Sequence, residues 1–87
     1  MQRSVVVALP GGLHARPAAQ FVAAAGRLPA KVTISKAGGT PVATASILAV
    51  MTLGVGAGDE VVLATSDDDA DSASSLDALE SFLLQSA

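Results

Sequence analysis

Gly11-Gly12-Leu13-His14-Ala15-Arg16-Pro17-Ala18-Ala19 is the stretch around which this chain is organised. Two glycines lead into the only histidine, and an arginine and a proline follow directly after Ala15. Upstream, Ser4-Val5-Val6-Val7-Ala8-Leu9 is valine-rich and stops at Pro10-Gly11-Gly12, which reads as a strand entering a turn. Val5 and Val7 then share the core-facing side by the two-residue period of a strand. Downstream, Pro17 suits the first turn of a helix, where its missing N–H has no intrahelical partner to lose. The alanine-rich run from Ala18 to Ala25 continues it, so a helix is expected to start near His14 to Pro17. Its buried stripe is Ala18, Phe21, Val22 and Ala25, with Gly26 as the stop. His14 is thereby placed at a helix N-terminus, where unpaired N–H groups and the positive dipole end favour an anion. Arg16 adds a fork of donors matched to a phosphoryl group. A nucleophilic imidazole beside a phosphate cradle points to a histidine that is itself phosphorylated.

The remaining segments keep their periods. Lys31-Val32-Thr33-Ile34-Ser35-Lys36 alternates, with Val32 and Ile34 inward, and Ala37-Gly38-Gly39-Thr40 turns it into a short arm, Pro41 to Thr44. Pro41 cannot donate to a ladder, so that arm is expected at a sheet edge. Ser46 stands at a favourable N-cap position before a short helix, Ile47 to Leu53, closed by Gly54. Gly56-Ala57-Gly58-Asp59 reads as a turn and Glu60 to Thr65 as the last strand. Asp67, Asp68, Asp69 and Asp71 open a final helix and complement its dipole. Its expected stripe is Ala73, Leu76, Leu79, Phe82 and Leu83. The order β-α-β-β-α-β-α predicts an α+β sandwich with helices on one sheet face. Spacing alone leaves the strand order open among split β-α-β arrangements.

Composition narrows the function. Eighty-seven residues make a single small domain, 1–87. Half of the residues are apolar and almost none aromatic, so valine, leucine, isoleucine and alanine must build the core. No apolar run approaches the roughly 20 residues of a membrane span, and the N-terminus lacks a secretory pattern. Without cysteine there is no disulfide framework or thiolate metal site. A cytoplasmic protein follows. The net charge is −3, with all five basic residues (Arg3, Arg16, Arg27, Lys31, Lys36) in the first half and all eight acids between Asp59 and Glu80. Folding can either gather an electropositive face around Arg16 or disperse the asymmetry. An acidic chain without aromatic platforms is a poor nucleic-acid binder. The acids from Asp67 to Asp71 lack the twelve-residue cation loop with its closing glutamate. Nucleotide loop, metal-binding histidine pair and catalytic triad are all missing from the sequence, so neither an enzyme nor a cofactor is expected.

The short helix carries too many apolar residues to bury on one side. Val50 and Leu53 share the core side at helical spacing, leaving Ile47, Leu48 and Met51 as a candidate exposed patch. Methionine suits contact with several partners because its thioether is flexible.

Gly12-Leu13-His14-Ala15-Arg16-Pro17-Ala18, followed by Ser46-Ile47-Leu48-Ala49-Val50-Met51-Thr52-Leu53-Gly54-Val55, resembles the HPr family, the histidine phosphocarriers of the bacterial sugar phosphotransferase system. The resemblance covers nearly the whole chain in length and element order. It implies an open-faced β-sandwich, with a four-stranded antiparallel sheet in the order 1-4-2-3 and three helices on one face. It implies that His14 takes a phosphoryl group on Nδ1 from phosphorylated enzyme I, itself charged by phosphoenolpyruvate, and passes it to an enzyme IIA component. Ala15, Arg16 and Pro17 then surround the phosphoryl group, and Ile47, Leu48 and Met51 dock both proteins. Such a carrier is a relay, not an enzyme, and is expected to be a monomer. In some members the serine matching Ser46 is phosphorylated by a kinase as a switch. The chain departs from the family at Gly11, where Asn is frequent, and at Ala43-Thr44-Ala45, where an Asn or Asp and a Lys are often found. A carrier in a nitrogen-regulatory phosphorelay would use the same residues. The reading from another class is a non-phosphorylated α+β regulatory module, which would keep the patch and the helix-end anion site without a reactive histidine.

Overall fold

The computed structural model describes residues 1–85, so the last two positions of the unit expected over 1–87 lie outside it. The elements are β1 (Gln2–Val6), α1 (Ala15–Ala25), β2 (Thr33–Lys36), β3 (Val42–Ala43), α2 (Ile47–Thr52), β4 (Glu60–Ala64) and α3 (Ala70–Leu83). The sheet order is β1-β4-β2-β3 with every pairing antiparallel. Because β1 and β2 both run against β4, they are parallel to each other, and α1 makes the crossover between them around the inserted strand. β3, the arm that begins after Pro41, lies at an edge as proline's missing donor requires.

Register assigns the two faces. Val5 lies opposite Val61, and Ile34 opposite Leu63; all four are buried. They join Phe21 of α1, Val50 of α2 and Leu76, Leu79 and Leu83 of α3 in one core. The other row of β1, Gln2, Ser4 and Val6, is exposed, so the three helices cover a single face. With so few aromatics, one pair matters: Phe21 and Phe82 meet edge-on, centroids 5.5 Å apart at 67°.

Several boundaries differ from the sequence reading. β1 covers Gln2–Val6 and not Ser4 to Leu9. Val7 and Leu9 are buried all the same, because the backbone leaves the ladder for other partners: Val7 N–H donates to Asp59 O at 2.9 Å and Ala8 N–H to Leu83 O at 2.8 Å. β2 begins at Thr33, two positions later than expected. Val32 stays buried, and its carbonyl accepts both the Thr44 N–H (3.2 Å) and the Thr44 hydroxyl (2.8 Å). Gly26 does cap α1, but with φ −66°, so no left-handed residue ends that helix. Gly54 is left-handed (φ +64°) and does close α2. On α3, Ala73 and Phe82 are only half-buried, while Ser72 and Ser75 are inside. The Ser75 hydroxyl is tolerated there because it accepts the Ala30 N–H at 3.2 Å.

Candidate functional site

The loop between β1 and α1 is anchored at two apolar points, Leu9 and Leu13, both buried. Between them Gly12 N–H donates to Leu9 O at 2.9 Å, and Gly11 and Gly12 take left-handed φ of 76° and 69°. Leu13 N–H then donates to Val55 O at 3.0 Å, tying the loop to the segment just beyond α2. Here the backbones approach so closely that a Cβ on Gly12 would overlap the Val55 carbonyl oxygen and the Gly56 backbone. The glycine is required by close approach as well as by φ.

His14 is the N-cap of α1, with extended φ −92° and ψ −175°. Its carbonyl accepts the Ala18 N–H at 2.7 Å and so starts the helix. Its side chain makes no capping bond and is exposed. The ring is therefore not spent on helix capping, as a Ser or Asp in this place would be. The helix behind it is 11 residues long, with no acid in its first turn. Ala15 and Arg16 lie in the first turn, where amides have no intrahelical acceptor, and Pro17 has no N–H to satisfy. The arrangement presents an imidazole at the positive end of a helix.

Ion pairing disperses part of the sequence's charge asymmetry. Arg3 on β1 bonds the Asp77 and Glu80 carboxylates of α3, and Lys36 reaches Asp59 at 3.5 Å. Arg16 has no ion-pair partner among the described residues and is exposed, next to the helix end. Arg27 and Lys31 follow the other end of α1, the 11-residue length of the helix away from His14. With its guanidinium free, Arg16 is available to an incoming anion.

α2 packs against α1. Val50 is fully buried and Leu53 packs against the core, while Ile47, Leu48 and Met51 are 38, 74 and 41 % exposed. Ser46 caps α2, its hydroxyl accepting the Ala49 N–H at 3.3 Å. It is exposed. Thr44 in the departing Ala43-Thr44-Ala45 segment is buried and bonded to Val32, which gives it a structural task.

The turn expected at Gly56-Ala57-Gly58-Asp59 is present, and the structure adds a task for Asp59 that the sequence does not announce. Asp59 Oδ2 accepts the Gly56 N–H at 2.8 Å, and this bond, followed by the Lys36 ammonium, holds the carboxyl below the usual aspartate range. An Asp three residues after a glycine was the available signal, since Asx side chains fold back on nearby amides. Among the described residues, no group of three or more His, Cys, Asp or Glu side chains could hold a metal ion. Nor is any described helix long and apolar enough to cross a membrane.

Comparison with known proteins identifies the family. The family model described as the "PTS HPr component phosphorylation site" matches residues 1–85. Phosphocarrier protein HPr of Streptomyces coelicolor is 50 % identical over 72 residues, covering 83 % of this chain and 77 % of that one. Phosphocarrier protein HPr of Haloferax volcanii is 46 % identical over 84 residues, covering 95 % of this chain and 92 % of its own. The crystal structure of a phosphocarrier protein HPr from Bacillus anthracis superposes with a TM-score of 0.86 at 37 % identity, over 95 % of both chains. With an exposed imidazole at the start of α1 and the family model matched over residues 1–85, this protein is a member of the HPr phosphocarriers of the phosphotransferase system.

Proposed function

We propose that His14 is the phosphoryl acceptor, taking the group from phosphorylated enzyme I and handing it to an enzyme IIA component in phosphoenolpyruvate-dependent sugar uptake. The supporting observation is an exposed N-cap histidine whose ring makes no capping bond. In the forward step the neutral ring nitrogen Nδ1 attacks phosphorus, an N–P bond forms, and the bond from phosphorus to the donor breaks. The imidazole proton on the other nitrogen stays until solvent or the partner takes it. Phosphoryl transfer asks for positioning and charge neutralisation more than for covalent help. The first-turn amides at Ala15 and Arg16 and the Arg16 guanidinium neutralise the phosphoryl oxygens, and Pro17 fixes the helix start beneath them. Partners supply the remaining catalytic groups.

Ile47, Leu48 and Met51 form the docking patch for both partners. Ser46, at the rim of that patch, is a regulatory phosphorylation site; a phosphate there puts up to two negative charges on the docking face. Ser46→Asp should accordingly slow phosphorylation by enzyme I, and an unchanged rate refutes the switch. The chain works as one unit, as a monomer, in the cytoplasm. Incubation with enzyme I and phosphoenolpyruvate should yield one acid-labile phosphate per chain. His14→Ala should take none, and label retained by that variant overturns the assignment.

A further inference from the structure

The turn that opens β4 carries a residue with more to do than begin a strand. We propose that Asp59 is a positioning residue for His14, holding the platform on which the active loop rests. The inference rests on the reading of His14 as the phosphoryl acceptor. Asp59 Oδ2 accepts the Gly56 N–H at 2.8 Å and lies 3.5 Å from the Lys36 ammonium at the end of β2. The carboxylate thus fixes the Gly56 peptide to the sheet. That peptide and the preceding Val55 carbonyl are the surface that Gly12 abuts, with no room even for a Cβ. Val55 O also receives the Leu13 N–H at 3.0 Å, one residue before His14. The same turn is held to the strand side by Gly58 N–H on Val7 O (2.8 Å) and Val7 N–H on Asp59 O (2.9 Å).

The linkage therefore runs from Lys36 through Asp59 to Gly56 and Val55, and from there through Gly12 and Leu13 to His14. Every step is a hydrogen bond, an ion pair or a backbone contact. The side-chain partners of Asp59 among the described residues are the Gly56 N–H and the Lys36 ammonium, not the imidazole, so its effect is on where the ring stands. A ring displaced by a fraction of an ångström from the line of attack slows transfer while leaving the docking side chains of α2 in place.

The test compares Asp59→Ala and Asp59→Asn with the unsubstituted chain, at a temperature where circular dichroism shows all three folded. Asn keeps an oxygen for the Gly56 N–H and loses only the charge. The first readout is amide exchange at Leu13 by NMR, referenced to Leu79 in the core of α3. The second is kcat and KM for the protein as phosphoryl acceptor of charged enzyme I. In Asp59→Ala, Leu13 should exchange at least about tenfold faster relative to Leu79. Its kcat should fall about tenfold with KM within about twofold, and Asp59→Asn should stay within about threefold of the unsubstituted chain on both readouts. The proposal is overturned by unchanged Leu13 exchange in Asp59→Ala, by a loss that appears in KM alone, or by an Asn variant as impaired as the Ala one. If the unsubstituted chain accepts no phosphate, the phosphocarrier reading is what fails. The exchange measurement still decides whether Asp59 holds the loop.

Discussion

Gly12→Ala should be far more damaging than alanine at another left-handed glycine, and the structure gives the size of the difference. Gly38, in the β2–β3 turn, has φ +79° with nothing within 4 Å of an added Cβ. Gly38→Ala therefore meets only the left-handed penalty, about 1–2 kcal/mol. Gly12 has nearly the same φ, +69°, but its Cβ would overlap the Val55 carbonyl oxygen and the Gly56 backbone. Those obstacles are main chain and cannot rotate aside as a side chain would. Relief requires moving one loop off the other, at a further cost of about 1–3 kcal/mol as for an overpacked site. The Leu13 N–H to Val55 O bond, worth about 1 kcal/mol net, is strained or lost in the process. For a domain of this size 1 kcal/mol corresponds to a Tm shift of about 4–8 °C. Urea and thermal unfolding should thus place Gly12→Ala at least about 4 °C below Gly38→Ala, with an unchanged urea m-value. Equal midpoints would refute the claim that the two loops interlock at Gly12.

Phe21→Ala removes a fully buried ring and its edge contact with Phe82, and should lower the unfolding free energy by about 3–5 kcal/mol in urea titration; a loss below 1 kcal/mol would mean that the core closes over the gap. Leu48→Lys should change stability by no more than about 0.5 kcal/mol, because the side chain is exposed. On the docking proposal its KM with charged enzyme I should rise about 5–10-fold, and an unaltered KM removes Leu48 from the interface. Asp69 caps α3 by accepting the Ser72 N–H at 2.8 Å, and that bond holds its carboxyl below the usual range. A depressed carboxylate stabilises the fold above its unfolded value and loses that contribution as pH falls through the lower folded value. The Tm gap between the unsubstituted chain and Asp69→Ala should hold from pH 7 to about 5 and shrink below about pH 4. A gap constant down to pH 2 would show that the cap works without its charge.

The helix start at His14 was legible because proline, alanine and glycine act locally: each constrains its own backbone whatever surrounds it. The period of α2 likewise separated Val50 and Leu53 from Ile47, Leu48 and Met51 before any packing was visible. Strand order was not legible from spacing, since nothing in β1 or β2 says that a later strand will enter between them; the resemblance to HPr supplied it. The stripe of α3 misled at Ser72 and Ser75, because a serine is buried or exposed according to whether a distant amide, here Ala30 for Ser75, comes to meet it. The same limit hid Asp59. Its bond to Gly56 is local, but its importance depends on the approach of Gly12 from far along the chain. Ion pairs such as Arg3 with Asp77 and Glu80 join the two ends of the sequence and follow from topology alone.

The most direct test of the account is a two-dimensional amide NMR spectrum recorded before and after charging the protein with enzyme I and phosphoenolpyruvate. The account predicts that the largest shifts fall on His14, Ala15 and Arg16, where the helix end meets the phosphoryl oxygens, and that Arg16→Ala shortens the life of the phosphorylated form. Phosphate that arrives with those three amides unmoved, or that settles on any residue but His14, would contradict it.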